Sequence, residues 1–227
     1  MSNSPTITVE ATGVASALPD IARINLFTFA EDPAPGDALT SCSLLTERVL
    51  GALRDAGVSP SDLETTSIDL NVQYKREPDD TEQSYRASSG LVATVRPPRE
   101  AGRVISAAVE AAGTGVGING VGFDVDDKAP LVSLARRDAV AEAMTAAREL
   151  ANAAGVALGP LVELSEGRPL HPFAPAGRPF AAAARRLSGG PPPVEIGELS
   201  VTVTVSAVFE VTPETAGCSI RPRRRQT

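Results

Sequence analysis

The chain has 227 residues, enough to bury a sizeable core as one large domain or two small ones. Aromatic content of only 4%, with no tryptophan, argues against nucleic-acid binding by base stacking and against carbohydrate platforms. The net charge of −7 is uneven: four arginines and no acid lie in 168–193, and four more crowd the C-terminus (Arg221, Arg223, Arg224, Arg225), which leaves the remaining body at −15. Such a body repels nucleic acid and anionic membrane, so nucleic acid is not an expected partner, whereas the two basic segments could fold back on the body or reach a partner.

The start, MSNSPTITVE, has no basic n-region and no apolar h-region, and no apolar run is long enough to cross a bilayer. The two cysteines, Cys42 and Cys218, make no disulfide framework. A cytoplasmic location is the expectation.

In chain order, residues 6–11 alternate with Ile7, Val9 and Ala11 on one face, and the stretch from Gly13 to Asp20 is read as an interruption. The run 21–30 is apolar on both faces, Ile24 and Leu26 against Phe27 and Phe29, as in a central strand or a strand at a subunit contact. Pro33, Pro35 and Gly36 close it, and Asp37 is the expected N-cap of a helix over 38–56 that buries Leu45, Val49, Leu53 and Ala56. A strand at 65–74 sets Ile68, Leu70, Val72 and Tyr74 against a wet face of Asp69, Asn71 and Gln73, and a polar tip holding Glu77, Asp79, Asp80 and Glu82 joins it to a strand at 85–96.

Pro97 and Pro98 precede a helix over 99–112 with Val104, Ile105, Ala108, Val109 and Ala112 on a narrow apolar face. Segment 116–125 changes phase between Ile118 and Val121, and a bulge at Asn119-Gly120 restores the register. A helix over 130–154, with Val140, Met144, Ala147, Leu150 and Ala154 inward, leads to a strand at 158–166. Each helix stops at Ala-Gly and runs into a strand, so the expected fold is α+β: an antiparallel sheet with amphipathic helices packed on it, in repeated helix-Gly-strand units.

Residues 168–193 break every pattern and read as an insertion, mobile in an isolated subunit, with neither strand nor long helix. Strand 197–211, with Leu199, Val201, Val203, Val205, Ala207, Phe209 and Val211 on one face, follows and is expected to be central. The boundaries drawn are one domain over 1–212 and a disordered basic tail at 213–227.

The strings ITVEATGVASALPDIARINL, YRASSGLVATV, INGVGFDV, ARRDAVAEAMTAARELANAAGVALGPLVELSEG and GELSVTVTVSAVFEV, in this order over residues 6–211, resemble the SIMPL domain family, a domain of unknown function found in bacterial envelope proteins and in a eukaryotic kinase-associated signalling protein. The resemblance implies an antiparallel α+β domain without established catalytic residues. It further implies large ring-like or channel-like oligomers in some members and a link to stress protection in others. The missing signal peptide and lipoprotein cysteine depart from the bacterial pattern and favour an intracellular relative.

Chemistry-bearing residues are sparse. His171, the one histidine, lies between prolines in the insertion without a rigid orienting partner, and two distant cysteines with one histidine cannot close a zinc shell. Asp124, Asp126 and Asp127 suit a helix N-terminus better than a cation, so Asp126 or Asp127 is expected to cap helix 130–154. GTGVGING at 113–120 follows a helix and enters a strand, the reverse of a phosphate cradle. Cys42 has no adjacent cation to activate it.

The expectation is therefore a non-enzymatic, self-assembling structural or interaction module without cofactor or metal. Its candidate contact residues are Phe27 and Phe29 on the strand, then Phe173, Arg178, Phe180, Arg185, Arg186 and Leu187 in the insertion, and Arg223, Arg224 and Arg225 in the tail. A ligand-binding or enzymatic domain with a pocket between sheet and helices is the alternative, and an adaptor that binds another protein through 168–193 is a third possibility.

Overall fold

A computed structural model describes residues 5–76, 81–167, 174–175 and 197–213. The strands are β1 (Thr6–Ala17), β2 (Ile21–Asp32), β3 (Leu63–Arg76), β4 (Thr81–Val95), β5 (Val116–Asp124), β6 (Val156–Glu166), β7 (Ala174–Pro175) and β8 (Leu199–Pro213). The helices are α1 (Pro35–Asp55), α2 (Ala101–Ala112) and α3 (Ala129–Ala154). Two antiparallel sheets with helices packed on them make the fold α+β, and backbone contacts divide the chain into two units.

The larger unit, residues 17–127 with 175–199, runs β2-α1-β3-β4-α2-β5. Its sheet order is β3-β4-β2-β5, and every neighbouring pair is antiparallel. That is the split βαβ arrangement of ferredoxin-like folds, in which both helices cover one face of the sheet. Ala22, Ile24 and Leu26 of β2 and Leu91, Ala93 and Val95 of β4 pack against Val49 and Leu53 of α1 and Val104 and Ala108 of α2.

The stripe expected for α1 is thus the buried one, and the bulge in β5 falls where the phase change put it. Asn25 pairs with Gly120 and Leu26 with Ile118, so Asn119 is the extra residue. Two details differ. Helix α1 begins at Pro35 rather than after Asp37, because Asp32 Oδ1 accepts the Ala34 N–H (2.8 Å) and proline at N1 forfeits no intrahelical bond. Val109 of α2 is 42% exposed: Ala101, Val104 and Ala108 face the sheet core, with Ile105 and Ala112 packed against it.

The smaller unit holds β1, β8, β6 and α3. Strand β8 is central in the order β1-β8-β6, antiparallel to β6, and β7 also pairs with it, so the insertion contains a short strand where none was expected. The seven apolar residues expected on one face of β8 are all buried.

Strand β1 continues through Gly13 to Ala17 instead of breaking. A Cβ at Gly13 would overlap the Ala139 nitrogen and the Ala135 oxygen of α3, so the glycine marks where helix backbone crosses strand backbone. The buried face of α3 is correspondingly Leu131, Ala135, Ala139, Ala143, Ala147 and Ala151. Val140, Met144 and Ala154, expected inward, are at most half-buried, and Leu150 is 50% exposed.

Candidate functional site

Strand β2 sends Ile24 and Leu26 into the core and Phe27 and Phe29 to the face of the sheet that carries no helix of this unit. The two rings lie 5.9 Å apart, and the Arg86 guanidinium sits 3.9 Å above the Phe29 ring. Arg86 also meets Glu31, its cross-strand partner, at 3.6 Å. Phe27 pairs with Gly90 on one side and Gly117 on the other, and its ring occupies the space that a Cβ at Gly117 would need. Both candidate aromatics therefore have intramolecular partners: one shields glycine backbone, and the other takes a cation–π contact.

Beside Phe27 lies a groove of about 270 Å³ lined mainly by polar groups, among them Asn25, Ser67, Asp69, Ser88 and Asn119. A second groove, about 200 Å³, opens between sheet and helix where Leu39 and Thr46 of α1 face Thr65, Ile68 and Ser89. Cys42 borders it but is 2% exposed and packed with Ala38 and Ala87, while Thr28 and Thr46 hydroxyls bond at 2.6 Å beneath.

The N-cap of α3 is Lys128, with no side-chain cap bond, and not Asp126 or Asp127 as expected. Arg96 takes Asp126, with its guanidinium 2.7 Å from that carboxylate and 2.7 Å from Asp62. Hydrogen bonds to Asp126 and then Asp62 hold the Arg96 pKa above its ordinary value. Asp124 meets Arg23 at 3.8 Å and accepts from its neighbour's backbone, Val125 N–H, at 2.9 Å. Among the described residues no group of three His, Cys, Asp or Glu side chains is placed to hold a metal, and no helix is long and apolar enough to cross a membrane.

What sequence patterning missed is the exposure of the apolar rows on two outer strands. Ile68, Leu70, Val72 and Tyr74 of β3 are 70%, 46%, 43% and 66% exposed, and Leu161, Val162 and Leu164 of β6 are likewise in solvent. Alternation tells which residues share a face, and it is silent on whether that face is covered. Candidates Phe173, Arg178, Phe180, Arg185, Arg186, Leu187, Arg223, Arg224 and Arg225, together with His171, Cys218 and the tip at 77–80, lie outside the described residues.

A family profile described as "Protein of unknown function (DUF541)", SIMPL, matches residues 7–209. The chain belongs to the SIMPL family. It is also similar to the 26 kDa periplasmic immunogenic protein of Brucella abortus (strain S19), 33% identical over 217 residues that cover 90% of this chain and 84% of that one. The protein of the same description from Brucella melitensis biotype 1 is 32% identical over 217 residues with the same coverage. Neither SIMPL relative is described as an enzyme, and both are described as periplasmic. The expected cytoplasmic location is thereby overturned: similarity along nearly the whole chain outweighs an inference from ten N-terminal residues.

Proposed function

We propose that this SIMPL protein is a non-enzymatic, self-assembling interaction module of the periplasm that forms ring-like homo-oligomers. The observation that supports assembly is that both sheets end in a strand with an exposed apolar row, Ile68 to Tyr74 on β3 and Leu161 to Leu164 on β6. Clustered apolar side chains on an open sheet edge favour burial against another chain. The charge pattern adds to this, because a body at −15 complements the arginines of 168–193 and 221–225 on a neighbour. The single domain over 1–212, the contact roles of Phe27, Phe29 and the basic segments, and the link to stress protection belong to the same proposal.

Light scattering of purified protein at low salt tests it. An oligomer whose mass falls as salt rises is the expected result, with deletion of 168–193 reducing assembly more than deletion of 219–227, since the insertion also offers Phe173, Phe180 and Leu187 for burial. A monomer at micromolar concentration would favour the alternative, a small-ligand site, for which the groove between α1 and β3 is the available space.

A further inference from the structure

Strand β3 is the unprotected edge of the larger unit. It is 14 residues long and ends the sheet order, with β4 as its hydrogen-bonded neighbour among the described residues. Edge strands are ordinarily kept from pairing by brevity, proline, charge or a bulge. Between Thr66 and Tyr74 there is one charged residue, Asp69, and no proline, and the bulge at Thr65/Ser67 precedes the apolar row instead of interrupting it.

The row lies on the helix-bearing face. Leu70 pairs with Ala87, which packs on Ala38 and Cys42 of α1, and Ile68 lines the groove beside α1 together with Leu39. Helix α1 stops short of covering it, so the exposed side chains form a strip between the helix and the sheet edge.

Resting on the assembly proposed above, we infer that this edge pairs with β3 of a second copy, antiparallel about a two-fold axis at Val72. That register is self-complementary. Val72 meets itself, Leu70 meets Tyr74, and Asn71 meets Gln73, so apolar positions share one face and polar positions the other. Among centres that keep the faces matched, the one at Val72 sets Asp69 opposite position 75, a lysine. The two sheets become continuous, each apolar row shelters the other, and both α1 helices lie on the same side. A two-fold contact closes on itself, so it joins rings into stacks or subunits into dimers and does not close a ring.

Cysteine cross-linking with light scattering tests the register. In a Cys218→Ser background, Val72→Cys is expected to form a disulfide-linked dimer on mild oxidation, and Ile68→Cys, whose register partner is position 76, is not. Val72→Lys should lower the solution mass about twofold while circular dichroism stays that of the parent.

If the parent is a monomer, the assembly proposal falls and this surface with it. An oligomer unaffected by Val72→Lys, with no cross-link at position 72, overturns this surface alone. Equal cross-linking at 68 and 72 overturns the register. Thiol labelling of Val72→Cys that is slow in a monomeric fraction and accelerates on deletion of 176–196 would assign the strip to the chain's own segment.

Discussion

Gly13 of β1 lies so close beneath Ala139 of α3 that a single added methyl would overlap the helix backbone nitrogen. Backbone cannot rotate aside as a side chain can, so the cost of filling this position falls on the whole helix-sheet contact. Gly13→Ala should destabilise by about 3 kcal/mol, the upper end for over-packing. Gly122→Ala, where a Cβ meets nothing within 4 Å, should stay within about 0.5 kcal/mol. Urea unfolding of the two variants checks the contrast, and equal effects would mean that α3 does not cross β1 at this point.

Helix α3 offers a test at Leu150, where the sequence pattern and the structure give opposite answers, beside Ala147, where they agree. Ala147 is fully buried and Leu150 is 50% exposed. Leu150→Ala should change stability by less than about 1 kcal/mol, well below the 2–5 expected of a core leucine. Ala147→Leu should cost about 2 kcal/mol or more, because a helix seated on alanines has no room for added methylenes. Thermal and urea denaturation give both values.

Arg96 joins the start of β3, the end of β4 and the segment before α3 through Asp62 and Asp126. At 41% exposure the pair of contacts is screened by solvent, and Arg96→Ala should cost about 1 kcal/mol. Arg96→Lys should recover less than half of that, since a point ammonium cannot fork to two carboxylates. Hydrogen bonds to the aspartates raise the pKa of Arg96 on folding, so its contribution is fully present below the ordinary arginine value and is lost only as pH rises through the folded one. The stability gap between parent and Arg96→Ala should therefore be constant from about pH 7 to pH 9. A gap that narrows within that window would contradict the assignment.

Chelation should leave thermal unfolding unchanged. Arg96 engages Asp126 and Arg23 approaches Asp124, so carboxylates that a cation at this strand end would need already face arginines. A clear fall in melting temperature with chelator, restored by a divalent ion, would overturn this.

Phase and punctuation were legible in the chain. The shift of alternation across Asn119-Gly120 has one steric remedy, an extra residue, and the structure places it there. The glycines after the three helices take positive φ, at 88°, 58° and 67° for Gly57, Gly113 and Gly155, a conformation that side chains resist. The one-sided run of β8 and the stripe of α1 were also readable, because burial on one face repeats with the period of the element.

Tertiary structure alone decided which of two helical stripes is buried, and how far cover extends. In α3 an alanine row and an aliphatic row both carry the helical period, and hydrophobicity favours the aliphatic one. The close approach at Gly13 reverses the choice, since only methyl side chains fit between backbones so near. In β3 the alternation from Ile68 to Tyr74 is that of a buried strand, yet α1 packs over β4 and β2 and leaves the row in solvent. Local sequence determines which residues point the same way, whereas what lies opposite them depends on contacts between segments far apart in the chain.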